Sequence, residues 1–198
     1  MDSDTTTVER LRQGDEGTFL ALVRLHHRRM LSLARSFLAS EASAEDVVQE
    51  TWAAVVTGIG RFEGRSSLRA WIFAILKNLA RTQAKRAGAL REDEPLDDSA
   101  DFHPSAHPRW GGHWSTPPTP WPDDALTRAS ALQAIGDAIA RLPAGQRAVI
   151  ELRDVEGWTA EEVCAALDLT SANQRVLLHR ARTRVRREIA RAVEHPAA

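Results

Sequence analysis

The chain has 198 residues, 43% hydrophobic and 27% charged, with a formal net charge of −1, which is the balance of a globular protein with room for one or two domains. No apolar run reaches the length of a membrane span, and the acidic start MDSDTTTVER is not a signal peptide, so a cytoplasmic protein without membrane insertion is expected. The single cysteine, Cys164, excludes an intrachain disulfide and a cysteine-cluster metal site, and its neighbours Val163, Ala165 and Ala166 suggest a small core residue.

Residues 5–13 suggest a short helix. Residues 15–39 predict a long amphipathic one. Phe19, Leu22, Val23, Met30, Leu33 and Phe37 form its apolar stripe, and Arg24, Arg28, Arg29 and Arg35 lie mostly off it. Residues 40–43 are a break, and Ser43 is the expected N-cap of the next helix, with Asp46 three residues on. Val47, Val48, Trp52, Val55 and Val56 mark the core side of that helix, whose start is strongly acidic through Glu45, Asp46, Gln49 and Glu50. Gly58, Gly60 and Gly64 bound a loop, GIGRFEGRSS. Ser66 or Ser67 then caps a third helix ending near Gly88. Leu68, Trp71, Ile72, Ile75, Leu76 and Leu79 face inward there. Lys77, Asn78, Arg81, Lys85 and Arg86 gather on its polar side. These helices form a first domain, residues 1–90.

Residues 91–124 have no period and hold most of the nine prolines, together with Trp110, Trp114 and Trp121. They also hold eight carboxylates, from Glu92 to Asp124, against Arg91 and Arg109, so the rest of the chain is net positive. Such a composition reads as an acidic extended linker. His103, His107 and His113 are spaced irregularly and lack the geometry of a metal site. Three tryptophans are unusual in a solvated tether and suggest docking onto a partner surface.

Residues 125–198 form a second helical domain. A helix over 123–142 turns Leu126, Leu132, Ile135 and Ile139 inward. Pro143 opens the next at its first turn, with Ala148, Val149, Leu152 and Val155 on the core side. Thr159 with Glu162 three residues on reads as a capping box, followed by an apolar face of Val163, Ala166 and Leu167. After a break at Asp168 and Leu169, Thr170 or Ser171 caps a last helix. Leu177, Ala181, Val185 and Ile189 face its core, and its other sides carry arginines. A basic helix alone is also compatible with a solvated face. The turn, the caps and the polar start Ser171, Asn173, Gln174 and Arg175 favour a helix-turn-helix that lays its second helix in the major groove. No strand signal or repeat intervenes, so the fold class is all-α: two small helical domains joined by an extended linker.

Catalytic patterns are missing from the sequence. There is no phosphate-cradling glycine motif, no paired-histidine zinc motif and no glycine-flanked serine, so an enzyme is not expected and no cofactor is implied. Basic groups beside Phe62 and Trp71 suit recognition instead, since cations track phosphates and aromatics hold unstacked bases. Phe62 and Trp71 also read as core residues, Trp71 above all.

Three segments carry a resemblance: AEDVVQETW, FEGRSSLRAWIFAILKNLARTQAKR, and RLPAGQRAVIELRDVEGWTAEEVCAALDLTSANQRVLLHRARTRVR. They resemble the two conserved domains of bacterial sigma factors of the extracytoplasmic-function (ECF) group, over residues 8–90 and 125–192. The resemblance implies a subunit that binds core RNA polymerase and directs promoter recognition, melting and initiation. It implies polymerase binding by Asp46, Gln49 and Glu50, and minus-ten DNA binding by Phe62, Ser66, Ser67, Asn78, Arg81 and Lys85. Position in the recognition helix implies minus-thirty-five binding by Asn173, Arg175, Val176, His179 and Arg180. Promoter DNA, core polymerase and an anti-sigma factor are the partners so implied. Val176 and His179 depart from the residues many relatives carry. The linker departs too, being long and Trp-rich, with the segment WSTPPTPWP, and the resemblance suggests a path through the polymerase cleft or RNA exit channel. The competing reading is a stand-alone helix-turn-helix regulator, which would need neither the acidic helix nor the basic first domain.

Overall fold

The computed structural model describes residues 2–88 and 128–194. The expectations for residues 91–124, for their tryptophans and histidines, and for Leu126 lie outside these. All regular structure among the described residues is helical.

The N-terminal half begins with α1 (Asp2–Arg12) and α2 (Glu16–Phe37). Asp15 caps α2 by accepting from the Thr18 backbone N–H at 2.6 Å. α3 spans Glu41–Gly58. Its cap is Ser40 rather than the expected Ser43: Ser40 is extended, and its hydroxyl accepts from the Ser43 N–H, so the helix starts one turn earlier. A 3-10 turn (Ile59–Arg61) leads to α4 (Leu68–Arg86), capped by Ser67, whose hydroxyl accepts from the Ala70 N–H at 3.2 Å. Asp4 of α1 takes the Leu68 N–H at 2.9 Å, so α1 also satisfies the start of α4.

The C-terminal half holds α5 (Arg128–Ala140) and α6 (Ala144–Ile150). α6 runs on into a π turn (Glu151–Val155), then come α7 (Ala160–Leu167) and α8 (Ser171–Glu194). The predicted capping box of α7 forms in full between Thr159 and Glu162. Asp168 closes α7 in the left-handed region, φ 54°, and Thr170 caps α8 by accepting from the Asn173 N–H.

The predicted core faces are largely observed. Met30, Leu33, Val47, Val48, Ile72, Leu76, Val149, Val163, Ala181 and Val185 are all buried. Three valine and leucine positions differ. Val155 is exposed because the wider π turn, with Glu156 N–H donating to Glu151 O, shifts the phase of the helix and rotates it out. Leu132 points to solvent. Val56 lines an open groove of about 170 Å³ with Leu11, Phe19, Val55 and Ile59. Lys77, expected on the polar side of α4, is buried, with its ammonium donating to the Asn78 side chain at 2.9 Å. Burial pushes its pKa down, opposed by the charge of Asp168.

A single apolar cluster runs through both halves. α4 packs along α7, and α2 against α6. Trp158, in the turn before α7, is 1% exposed and meets Phe73 of α4 edge to face, ring centroids 4.8 Å apart.

Candidate nucleic-acid interface

Three surfaces carry the residues singled out by sequence. On α3, Asp46, Gln49 and Glu50 are all exposed, and their i, i+3, i+4 spacing sets them on one face. That face is anionic and stands clear of the core side formed by Val47, Val48 and Val55.

The loop before α4 and α4 itself divide their six residues. Asn78, Arg81 and Lys85 form an exposed row along the C-terminal half of α4. Ser66 and Ser67 are half-buried at its start. Phe62 is only 8% exposed: its ring leans on Trp71, centroids 5.2 Å apart, and its carbonyl accepts from Arg12 at 2.7 Å. Phe62 thus belongs to the packed interior in this conformation, against the partly buried Trp71 of α4, with Arg12 of α1 tying the loop down.

α7 and α8 form the helix-turn-helix. Ser171, Ala172, Asn173, Arg175 and Val176 are exposed at the start of α8, with His179 and Arg180 half-buried one turn further on. Gln174, between them in sequence, turns inward and is buried. The five residues expected to read DNA therefore share the outward side of the first turns, where a helix entering a major groove reaches base edges. Val176 is the apolar member, 38% exposed among polar and cationic neighbours. Farther along, Arg182 makes a two-pronged ion pair with Asp154, at 2.8 and 2.7 Å, and those hydrogen bonds hold its pKa above the ordinary guanidinium value.

The sequence reading missed a fourth set, the charged residues where the two halves meet. Arg69 of α4 donates to the Glu162 carboxylate at 2.5 Å, and the Ser67 hydroxyl reaches the same oxygen at 3.5 Å. The Arg69 guanidinium also stacks over the Trp158 ring, 4.1 Å from its centroid. Burial pushes the Glu162 pKa up, but hydrogen bonds from Arg69 and Thr159 outweigh it and hold the carboxyl below its usual value. Arg29 of α2 pairs with Glu156. Glu151, buried, accepts from Ser32 at 3.2 Å, Ser36 at 3.4 Å and Arg147 at 2.8 Å. The only sequence signal for these pairs was the capping-box glutamate itself, which gave no hint of its second partner.

Comparison with known proteins finds a family for each half of the chain. The Sigma-70 region 2 model matches residues 22–89, and the Sigma-70 region 4 model matches residues 132–185. The RNA polymerase sigma-H factor of Pseudomonas aeruginosa is 25% identical over 182 residues, 91% of each chain. The ECF RNA polymerase sigma-E factor of Haemophilus influenzae is 25% identical, over 94% of this chain and 95% of its own. Among solved structures, the sigma factor RpoE of Bartonella quintana, in complex with the anti-sigma factor NepR, aligns with a TM-score of 0.58 at 25% identity. That alignment covers 87% of this chain and 96% of RpoE.

Proposed function

The chain belongs to the ECF group of the sigma-70 family, with a region-2 and a region-4 domain, and from that membership we propose how its surfaces divide the work. As a sigma factor it is not an enzyme; it binds core RNA polymerase and promoter DNA and directs transcription initiation. That role leaves no place for the stand-alone regulator.

In our reading residues 1–90 form the unit for polymerase and minus-ten contacts, 91–124 the linker, and 125–198 the minus-thirty-five unit. Asp46, Gln49 and Glu50 hold the polymerase. Ser66, Ser67, Asn78, Arg81 and Lys85 meet the minus-ten element, with Phe62 joining only where the loop releases it from Trp71. Asn173, Arg175, Val176, His179 and Arg180 read the minus-thirty-five element. The observation that carries this reading is the separation of charge: an acidic outward face on α3, and exposed basic groups on α4 and at the start of α8. Cations on those helices suit phosphate oxygens, and the anionic face suits a protein partner. An anti-sigma factor is the further partner, supported by the complex in which RpoE was solved with NepR. The cytoplasm is the compartment where these partners meet.

Run-off transcription with core polymerase over a promoter library tests the assignment. Transcripts should require the protein and should share one upstream and one downstream sequence element. Arg175→Ala should weaken selection of the upstream element and Asn78→Ala of the downstream one. The reverse pairing, or selection untouched by both, would overturn the division.

A further inference from the structure

Lys77 breaks the pattern of α4. Leu76 before it is buried and Asn78 after it is exposed, and Lys77 falls with Leu76, at 6% exposure. A buried ammonium needs an acceptor, because a charge held away from water without a partner costs free energy. Among the described residues, the only hydrogen bond that Lys77 Nζ makes is to Asn78 Oδ1, at 2.9 Å. An interior cation thus holds an outward amide by its oxygen. An asparagine side chain has one acceptor oxygen and two N–H donors. With the oxygen on Lys77, Asn78 keeps its two Nδ2 donors, which have no partner among the described residues. The nearby Thr82 hydroxyl goes to the Asn78 backbone carbonyl at 2.8 Å and leaves the amide alone. Asn78 also heads the exposed row that continues through Arg81 and Lys85.

We propose that Lys77 is a positioning residue that makes Asn78 a donor-only reader, so that Asn78 selects a keto base, guanine or thymine, over an amino base at one minus-ten position. The proposal rests on the assignment of Asn78 to the minus-ten element and gives that contact its specificity. An unrestrained asparagine amide pairs with adenine through both its atoms, accepting from the N6 amine and donating to N7. Asn78 cannot do so while Lys77 holds Oδ1, since a second N–H approaching that oxygen also meets the positive charge of the ammonium. Donation remains. Guanine O6 and N7 and thymine O4 are acceptors, whereas adenine and cytosine set an amine in the corresponding place. Both residues stand side by side on α4, so the pair moves with the helix whatever packs over it. Pinning the amide before DNA arrives also removes rotamer freedom that binding would otherwise have to remove.

The test uses holoenzyme formed from the full chain and core polymerase, with run-off measured on promoters that carry each of the four bases at each minus-ten position. Asn78→Ala identifies the position that Asn78 reads, as the one whose base preference it changes. At that position the wild-type protein should favour keto over amino bases by about fivefold, the worth of one hydrogen bond. Lys77→Met keeps the apolar stem and removes the donor, and it should bring that ratio close to one while the ratios at other positions stay as they are. Lys77→Arg, which keeps a cationic donor, should restore the preference. A Lys77 that only supported the fold would lower run-off on all templates together and leave the ratio unchanged. Asn78→Asp presents acceptors alone and should turn the preference toward amino bases, and it serves if the Lys77 variants lose helicity. An unchanged ratio in a folded Lys77→Met, or a wild-type preference for amino bases at the position, would overturn the role of Lys77 while leaving Asn78 a DNA contact. If Asn78→Ala alters no position, the minus-ten assignment of Asn78 falls, and this proposal with it.

Discussion

Trp158 packs edge to face on Phe73, with the ring planes at 65°, and this one contact joins the turn before the helix-turn-helix to the middle of α4. Phe73 also meets the buried His26 edge-on, centroids 5.9 Å apart. The three rings form a relay from α2 through α4 to the C-terminal half. The polar groups around it, Arg69, Glu162 and Ser67, make the same junction charge-bearing at its rim.

Trp158→Ala should therefore act as a core truncation. Losing a fully buried tryptophan costs about 3–5 kcal/mol. Urea unfolding followed by circular dichroism should show a lower midpoint. Trp158→Phe should recover part of the loss, since a smaller ring still meets Phe73. A midpoint shift worth under about 1 kcal/mol for the alanine variant would mean that the ring contributes little to the native state.

His26 should make stability depend on pH. Burial lowers its pKa from 6.5 to about 4, helped by the charges of Arg29 and Arg69 and opposed by Asp4. The unfolded chain takes up this proton near pH 6.5, whereas the folded one waits until about 4. Between those values the unfolded state binds more protons, so stability falls as pH drops from 6.5 toward 4 and is unaffected above 6.5. His26→Gln should flatten the dependence between pH 5 and 6.5, a window above the usual carboxylate range. Equal slopes for the two proteins across that window would remove His26 as its source.

Much of this fold is legible in sequence because local rules specify it. Thr159 and Glu162 announce the capping box, and Leu177, Ala181, Val185 and Ile189 announce the buried side of α8. Ser40 and Ser43 both satisfy the cap pattern, and only the extended backbone at Ser40 decides between them. Val155 was misread because a π turn breaks the period on which helix reading depends. Trp158 belongs to no periodic run, and Phe73 falls between the residues that define the stripe of α4. Their meeting depends on how the halves pack, which no local pattern encodes. The outward faces of α3 and α8 were legible for the opposite reason: their residues stay where helical spacing alone puts them.

Asp46→Lys with Glu50→Lys should weaken binding to core polymerase. The pair lies on the exposed face of α3, so the substitutions reverse charge without opening the core. Surface changes of this kind usually move stability by under about 0.5 kcal/mol. Circular dichroism should stay helical while co-purification with core polymerase falls sharply, and the deficit relative to wild type should shrink at higher salt, which screens the exposed charges. Retained co-purification at physiological ionic strength would move the polymerase contact to another face.

Val176 should read a thymine methyl. It is the one large apolar side chain exposed at the start of α8 among the described residues, flanked by Asn173, Arg175 and Arg180. A valine has no hydrogen bond to offer a base edge, and the apolar feature of the major groove is the C5-methyl of thymine. Burying a methyl-sized group is worth about 0.8 kcal/mol, a factor of roughly four in affinity. Selected upstream elements should hold a thymine whose replacement by deoxyuridine weakens binding by about that factor. Val176→Ala should lose the same preference without changing the salt dependence, since no phosphate contact is removed. Arg175→Ala and Arg180→Ala should behave differently, with a shallower salt slope wherever the arginine held a phosphate. If no deoxyuridine substitution in the element distinguishes wild type from Val176→Ala, the valine faces the DNA without reading it.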